Sequence, residues 1–522
     1  MRRVITVMLA LVLVLAACGD DDATTTTAGG GATTSTQGGG GDTTTTAPPQ
    51  AVAPLVIAVS TEPNTLDAQL VNDRASRVIT GNIVEPLLNR TADGEFEGLL
   101  ALSFETVADD RWRFTLREGV TFHNGEPFNA EAVVFSIERI IDPEYETQRT
   151  SYIADILGAE VVDEYTVDIV TDGISPIVAT QMTSIPIVPP VAAAEAGYGD
   201  NPIGTGPYQF VSWERGSQVN LTAFADYWGG APSIQEASIR FIPDGQTALA
   251  ALQAGEVDMV LDLLPELAPL APVFLNTPGP EFSYIQLNSY KEYLASPLVR
   301  QALNHAVDKE TMAATLYEGY ARPNDAQHLT PAMLGYNDDV DAFPYDPDMA
   351  RDLLAQAGYA DGFDLEMHVP IGRFLKGEEV LEFVAAQLAE VGVTVTIVQN
   401  EFAVFRDLAR IPGPDPESID SRYAWNSNEW FDAARMAGFF TCEGSSSKIC
   451  DPEIDALHEQ ASSTTDLELR DQLYQQLWAR IHENPIHIFL LQHDLLYGLS
   501  ERLNWEPRAD DEVFIKTMTL SG

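Results

Sequence analysis

The segment Arg422-Tyr423-Ala424-Trp425-Asn426-Ser427-Asn428-Glu429-Trp430-Phe431-Asp432 gathers the side chains best suited to holding a small molecule. Two indoles, Trp425 and Trp430, offer flat apolar faces, while the amides of Asn426 and Asn428 and the carboxylates of Glu429 and Asp432 offer orienting hydrogen bonds. The competing reading of the two tryptophans is ordinary core packing. This set binds and orients; it supplies no grammar for bond cleavage.

Catalytic and metal-binding patterns are absent from the rest of the chain. There is no Gly-x-Ser-x-Gly elbow, Walker loop or His-Glu-x-x-His helix. In His482-Glu483-Asn484-Pro485-Ile486-His487 the histidines are five apart and Pro485 breaks the helix that would bring both imidazoles together. His123 falls in a turn and reads as structural. The sequence therefore predicts a protein that is not an enzyme, with no catalytic residue, no metal and no cofactor. Cys442 and Cys450 are expected to form a disulfide in an oxidising compartment, since two thiols alone make a poor metal site. Ser445, Ser446 and Ser447 between them suit an exposed loop.

The ends place those residues outside the cytoplasm. Arg2 and Arg3 precede an apolar stretch over residues 4–17, too short to span a bilayer comfortably and arranged like an export signal. Leu15-Ala16-Ala17-Cys18 looks like a lipobox, with Cys18 as the lipidated mature N-terminus. Residues 18–54, rich in Thr and Gly, cannot bury enough apolar surface to order themselves and read as a tether, spanning on the order of 30–36 Å as a flexible coil. With 78 acidic against 29 basic residues the formal net charge is −49, which argues against nucleic acid and anionic lipid headgroups as partners.

Residues 55–522 are too many for one core and imply two or more lobes. Trp112, Phe114 and Leu116 alternate with polar residues, the pattern of a half-buried strand. Asn124-Gly125 supplies a turn, Asn129 is placed to cap a helix, and Val133, Ile137, Ile140 and Ile141 recur at helical spacing before Asp142-Pro143 ends it. Similar helix-to-strand transitions recur at Gly255, Gly358 and Gly392, so the lobes are expected to be α/β.

Several of these segments resemble, in order, the signatures of the family 5 (oligopeptide, dipeptide and nickel class) extracellular solute-binding proteins of ABC importers. They are Pro63-Asn64-Thr65-Leu66-Asp67, residues 111–140, Asn201-Pro202-Ile203-Gly204-Thr205-Gly206-Pro207-Tyr208, Asp226-Tyr227-Trp228-Gly229-Gly230, Ala254-Gly255-Glu256-Val257-Asp258 and Val299-Arg300-Gln301-Ala302-Leu303-Asn304. The resemblance implies a two-lobed periplasmic-binding-protein-like α/β fold of the class II type with an extra small domain. Lobe I would comprise residues 55–84, 198–283 and 488–522, the small domain 85–197, and lobe II 284–487. A hinge is expected near residues 286–289 and 486–491.

The same resemblance implies a monomeric lipoprotein on the outer or periplasmic face of the membrane. It would close over a peptide or related small solute and deliver it to permease subunits. A ligand-sensing or surface-interaction lipoprotein on the same fold is the alternative. Trp425 matches a tryptophan of the peptide-binding relatives, three residues before an aspartate that pairs with the peptide ammonium. Here that position is Asn428, so a free-amine solute loses its expected partner, and Asn428→Asp is expected to strengthen binding of such peptides. Asp73, after the first strand, and Arg373, before a helix and suited to a carboxylate, complete the expected contacts.

Overall fold

The half-buried pattern at residues 111–116 forms the strand Arg111–Leu116, with Trp112, Phe114 and Leu116 buried. In this computed structural model, residues 53–91, 94–444 and 447–521 are described. The export signal, Cys18, the tether up to residue 52, and Ser445 and Ser446 lie outside the described residues. Asn129 caps the helix Ala130–Ile141, its side chain accepting from the Ala132 N–H at 3.1 Å. That helix packs on a four-stranded antiparallel sheet of Ala101–Ala108, Arg111–Leu116, Thr166–Thr171 and Ile156–Asp163. Among the described residues, no helix is long and apolar enough to cross a membrane.

A second, eleven-stranded mixed sheet runs through the rest of the chain. At one end lie Leu55–Val59, Glu236–Phe241, Gln218–Ala223 and Tyr208–Glu214; at the other lie Phe363–Pro370, Val393–Asn400 and Ser421–Ser427. Two long antiparallel strands, Val273–Leu287 and His487–Leu499, connect them. Tyr497 and Leu499 belong to one hydrophobic core, whereas Ile285, Leu287, Ile488 and Leu490 belong to another. Pairing between these strands is regular at residues 284–286 and 487–489 and irregular in two places, between Pro278 and Phe282, beside Gln492 and Asp494, and between Ser283 and Tyr284, beside Leu491 and Phe489. Pro278 and Pro280 have no N–H to donate, so the ladder breaks at the first place and the strand bends. The first irregularity lies several residues before the stretch expected from sequence as a hinge, and the second lies opposite Phe489 and Leu491, within residues 486–491.

The recurrent motifs turn out to join elements. Glu85 is buried, and its carboxylate accepts from Thr205 Oγ1 at 2.9 Å, the Tyr227 hydroxyl at 2.7 Å and Trp228 Nε1 at 2.9 Å. Burial still pushes this carboxyl above its usual range, against the pull of those donors. Gly204 must be glycine because a Cβ would stand 2.0 Å from the Ile83 carbonyl oxygen. In the motif at residues 299–304, buried Arg300 donates from Nε to the Pro485 carbonyl at 2.6 Å, and the Asn304 amide donates to the His487 carbonyl at 2.8 Å. The start of the second long strand is thereby fixed to the helix Pro297–His305.

The histidines of residues 482–487 are packing groups. His482 stacks on Phe343 with centroids 4.3 Å apart, while His487 stacks on Tyr284 at 4.0 Å and hydrogen-bonds His328 at 2.8 Å. Cys442 and Cys450 are joined by a disulfide.

Candidate functional site

Strand pairing brings distant residues to one cavity. Ser421–Ser427 lies antiparallel to Val273–Leu287 with Ser283 opposite Trp425 and Glu281 opposite Ser427. Alternation then sends Trp425 and Ser427 to one face and Arg422, Ala424 and Asn426 to the other. On the first face a cavity of about 680 Å³ opens, within the roughly 300–1,000 Å³ of small-molecule sites. Its walls come from Asp73, Arg74 and Arg77 on one side, Tyr317, Arg373, Phe374 and Trp425 on the other, and Glu281 and His493 on the long strands.

Trp425 is held from several directions. The His493 ring lies parallel to it with centroids 3.9 Å apart, and Phe374 is near-parallel at 6.0 Å. Its Nε1 donates to the Tyr423 hydroxyl. His493 Nε2 and Ser283 Oγ are 2.9 Å apart, and burial lowers the imidazole to about 3, so the ring is neutral. Tyr317 meets His493 edge-on at 4.8 Å and donates to the Leu375 carbonyl at 3.0 Å. The result is a rigid aromatic wall that is only half-buried at Trp425.

The opposite wall is charged. Arg74 contacts Asp262 and reaches Asp511 at 2.5 Å; Arg77 reaches Asp511 at 3.3 Å and Glu512 at 3.2 Å. Burial alone would lower Arg77, but Glu512 and Asp511 outweigh it and hold the guanidinium above its usual range. Among the described residues the Glu281 carboxylate has neither a hydrogen bond nor an ion pair. Burial, and then the nearby Asp511, push it up to about 7 against the pull of Arg74. This end of the cavity therefore carries a carboxylate with no guanidinium of its own.

Of the residues singled out in the sequence, Trp425, Glu429, Asp73 and Arg373 line this cavity. Asp73 also caps the helix Arg74–Thr80, accepting from the Ser76 N–H at 3.0 Å. Arg373 is exposed, with its guanidinium 5.2 Å from the Phe402 ring centroid. Asn426 faces the other side of the sheet, where a cavity of about 390 Å³ is bounded by Trp425, Arg373, Phe374 and the helix Phe402–Arg410.

Asn428 and Trp430, expected as solute contacts, line neither cavity. Asn428 is fully buried, its amide donating to the carbonyls of His328 at 3.3 Å and Asp432 at 3.2 Å. Trp430 packs into the hydrophobic core that also holds Trp112 and Phe114, against Tyr152 at 5.4 Å. The two carboxylates that could replace the missing aspartate are taken: Asp432 makes a two-pronged pair with buried Arg470 at 2.6 and 2.7 Å, and Glu429 pairs with Arg435 and accepts from the Tyr152 hydroxyl. Sequence reading missed Glu281, His493, Tyr317 and Phe374. Only the Ser427 to Glu281 register, a long-range pairing, brings Glu281 to the site.

Among the described residues, the one set of His, Cys and acidic groups close enough to share a metal is Cys442, Cys450 and Asp455, whose two sulfurs are bonded to each other.

The family model of bacterial extracellular solute-binding proteins, family 5 (middle region), matches residues 95–446. The glutathione-binding protein GsiB of Salmonella typhimurium is 32% identical over 361 residues, which cover 66% of this chain and 69% of that protein. The protein of the same name from Pectobacterium atrosepticum is 28% identical over 484 residues, 89% of this chain and 93% of its own. Among solved structures, HbpA2 from Haemophilus parasuis superposes with a TM-score of 0.80 at 25% identity, covering 90% of this chain and 99% of that one. The chain belongs to the family 5 bacterial extracellular solute-binding proteins, the solute receptors of ABC importers, and is a binding protein, not an enzyme.

Proposed function

We propose that this receptor captures a peptide or related small solute with a free ammonium group in the cavity between Trp425 and Glu281, and presents it to the permease subunits of an ABC importer. The observation that carries this reading is the unpaired Glu281 carboxylate opposite Ser427. An ammonium entering there meets the carboxylate that Asn428 does not supply, and the pair forms where water is scarce. Trp425 offers its exposed edge to the apolar part of the solute. The names of the glutathione-binding relatives support a peptide-like solute, since glutathione is a tripeptide with one ammonium and two carboxylates.

In this reading the two lobes, residues 55–84, 198–283 and 488–522 against 284–487, swing together about the long strands, with the broken pairing at Pro278 to Phe282 absorbing the rotation. The small domain, 85–197, moves with the first lobe. Leu15-Ala16-Ala17-Cys18 supports lipid anchoring at Cys18, which leaves a monomer tethered at the outer or periplasmic face. Calorimetric titration with glutathione and N-acetylglutathione tests the reading. Glutathione is expected to bind and the acetylated form to bind at least about tenfold more weakly, a preference that Glu281→Gln removes. Equal affinity for both forms, or no binding of glutathione or of other small peptides, contradicts it.

A further inference from the structure

Lys376 breaks three local rules at once. It opens the helix Gly377–Glu390 at the position where Ser, Thr, Asp or Asn would cap, and its side chain caps nothing. Its backbone sits at φ +56° and ψ +28°, the left-handed region that a residue with a side chain seldom occupies. Its positive charge also falls at the positive end of the helix dipole, where Glu378 and Glu379 of the first turn are the favoured charges. A glycine or an aspartate there would suit the helix better, so the reason for a lysine lies outside the helix.

What it meets is Glu266. Lys376 Nζ and the Glu266 carboxylate are 3.3 Å apart, with side chains 22% and 45% exposed. The two stand on different banks of the larger cavity. Glu266 belongs to the short helix Pro265–Leu270, whose Leu267 and Ala268 pack in the core of Leu249 and Val260. Lys376 ends the turn after Phe363–Pro370, where Phe374 packs on the core of Val369 and Val380. The chain neighbours Pro265 and Leu375 both line the cavity, so the pair lies at its edge. The Tyr317 hydroxyl, donating to the Leu375 carbonyl at 3.0 Å, steadies the turn that carries the lysine.

We infer that Lys376 and Glu266 form a clasp across the edge of the solute cavity, an ion pair made as the two banks approach that slows release of the solute. The inference rests on the closure proposed above and adds the device that sets how long the cavity stays shut. Partly exposed ion pairs shift an equilibrium by roughly 1.5- to 5-fold, enough to tune release and too little to hold the banks together without a solute.

The test uses the whole chain loaded with glutathione and then diluted, the release rate being read by stopped-flow tryptophan fluorescence. Glu266→Gln and Lys376→Gly are each expected to release about two- to fivefold faster than wild type at low salt, a difference that shrinks at about 0.5 M salt. Lys376→Gly also relieves the left-handed backbone and is expected to melt no lower than wild type, which separates loss of the clasp from damage to the fold. The exchanged pair, Glu266→Lys with Lys376→Glu, is expected to restore slow release. Single variants that release at the wild-type rate, or an exchanged pair that stays fast, overturn the clasp while the receptor reading stands. A wild-type chain that binds neither glutathione nor other small peptides overturns the receptor reading, and carbodiimide coupling of the unliganded chain then decides the contact. An amide joining Lys376 to Glu266, found by mass spectrometry, supports the pair across the two banks, and its absence overturns it.

Discussion

The imidazole of His493 lies flat against the indole of Trp425, with centroids 3.9 Å apart and planes 15° from parallel. One ring comes from the long strand His487–Leu499 and the other from the strand Ser421–Ser427, so the stack fixes the tryptophan edge relative to the strands about which the lobes are proposed to turn. Burial keeps His493 neutral, at about 3, so the stack does not change charge in the physiological range.

Because Trp425 is half-buried and held mainly by rings, Trp425→Ala is expected to leave the fold intact and lose at least about tenfold in glutathione affinity. Calorimetry for binding and circular dichroism for fold check both halves.

The raised Glu281 carboxyl makes two linked pH effects. Its folded value of about 7 lies above the ordinary carboxylate value, so the folded state holds the proton longer than the unfolded state does. Stability therefore falls as pH rises from the ordinary carboxylate range through 7, with Asp511 and Asp262 repelling the charge and Arg74 and Arg77 attracting it. Thermal melts of the unliganded protein are expected to show Glu281→Gln more stable than wild type at pH 8, and the difference to close at pH 5. An ammonium-bearing solute favours the ionised form, so its affinity should rise between pH 6 and 8 with proton release, and not in the Gln variant.

Asn428 shows why a position taken from the relatives does not transfer by itself. Its amide donates to two buried carbonyls, so Asn428→Asp puts carboxylate oxygens where donors are needed. Rather than strengthening peptide binding, it is expected to cost roughly 1–3 kcal/mol of stability, measured by chemical denaturation.

Glu85 gives the structural counterpart. Glu85→Ala strands the donors of Thr205, Tyr227 and Trp228, and is expected to lower stability by roughly 2–4 kcal/mol without changing solute specificity.

These cases separate what the sequence makes legible from what it hides. The strand Arg111–Leu116 and the Asn129-capped helix follow from local periodicity and capping, which need no distant partner. The motifs around Gly204, Tyr227 and Arg300 are prominent because they tie elements together through Glu85 and the start of the His487–Leu499 strand. Trp425, Asp73 and Arg373 line the cavity, yet Trp430, similar in type and in the same segment, packs into a core. Local sequence cannot tell the two indoles apart, because the turn after Ser427 reverses which way the chain faces. Glu281 carries no local signal and gains meaning only from its register with Ser427.

The halves joined by Val273–Leu287 and His487–Leu499 are expected to close on a solute held between Trp425 and Glu281. Small-angle X-ray scattering of the whole chain, with and without saturating glutathione, measures that closure. A smaller radius of gyration with solute, absent in Glu281→Gln at the same glutathione concentration, is the predicted result. Unchanged dimensions in a wild-type sample shown by calorimetry to be saturated would contradict it.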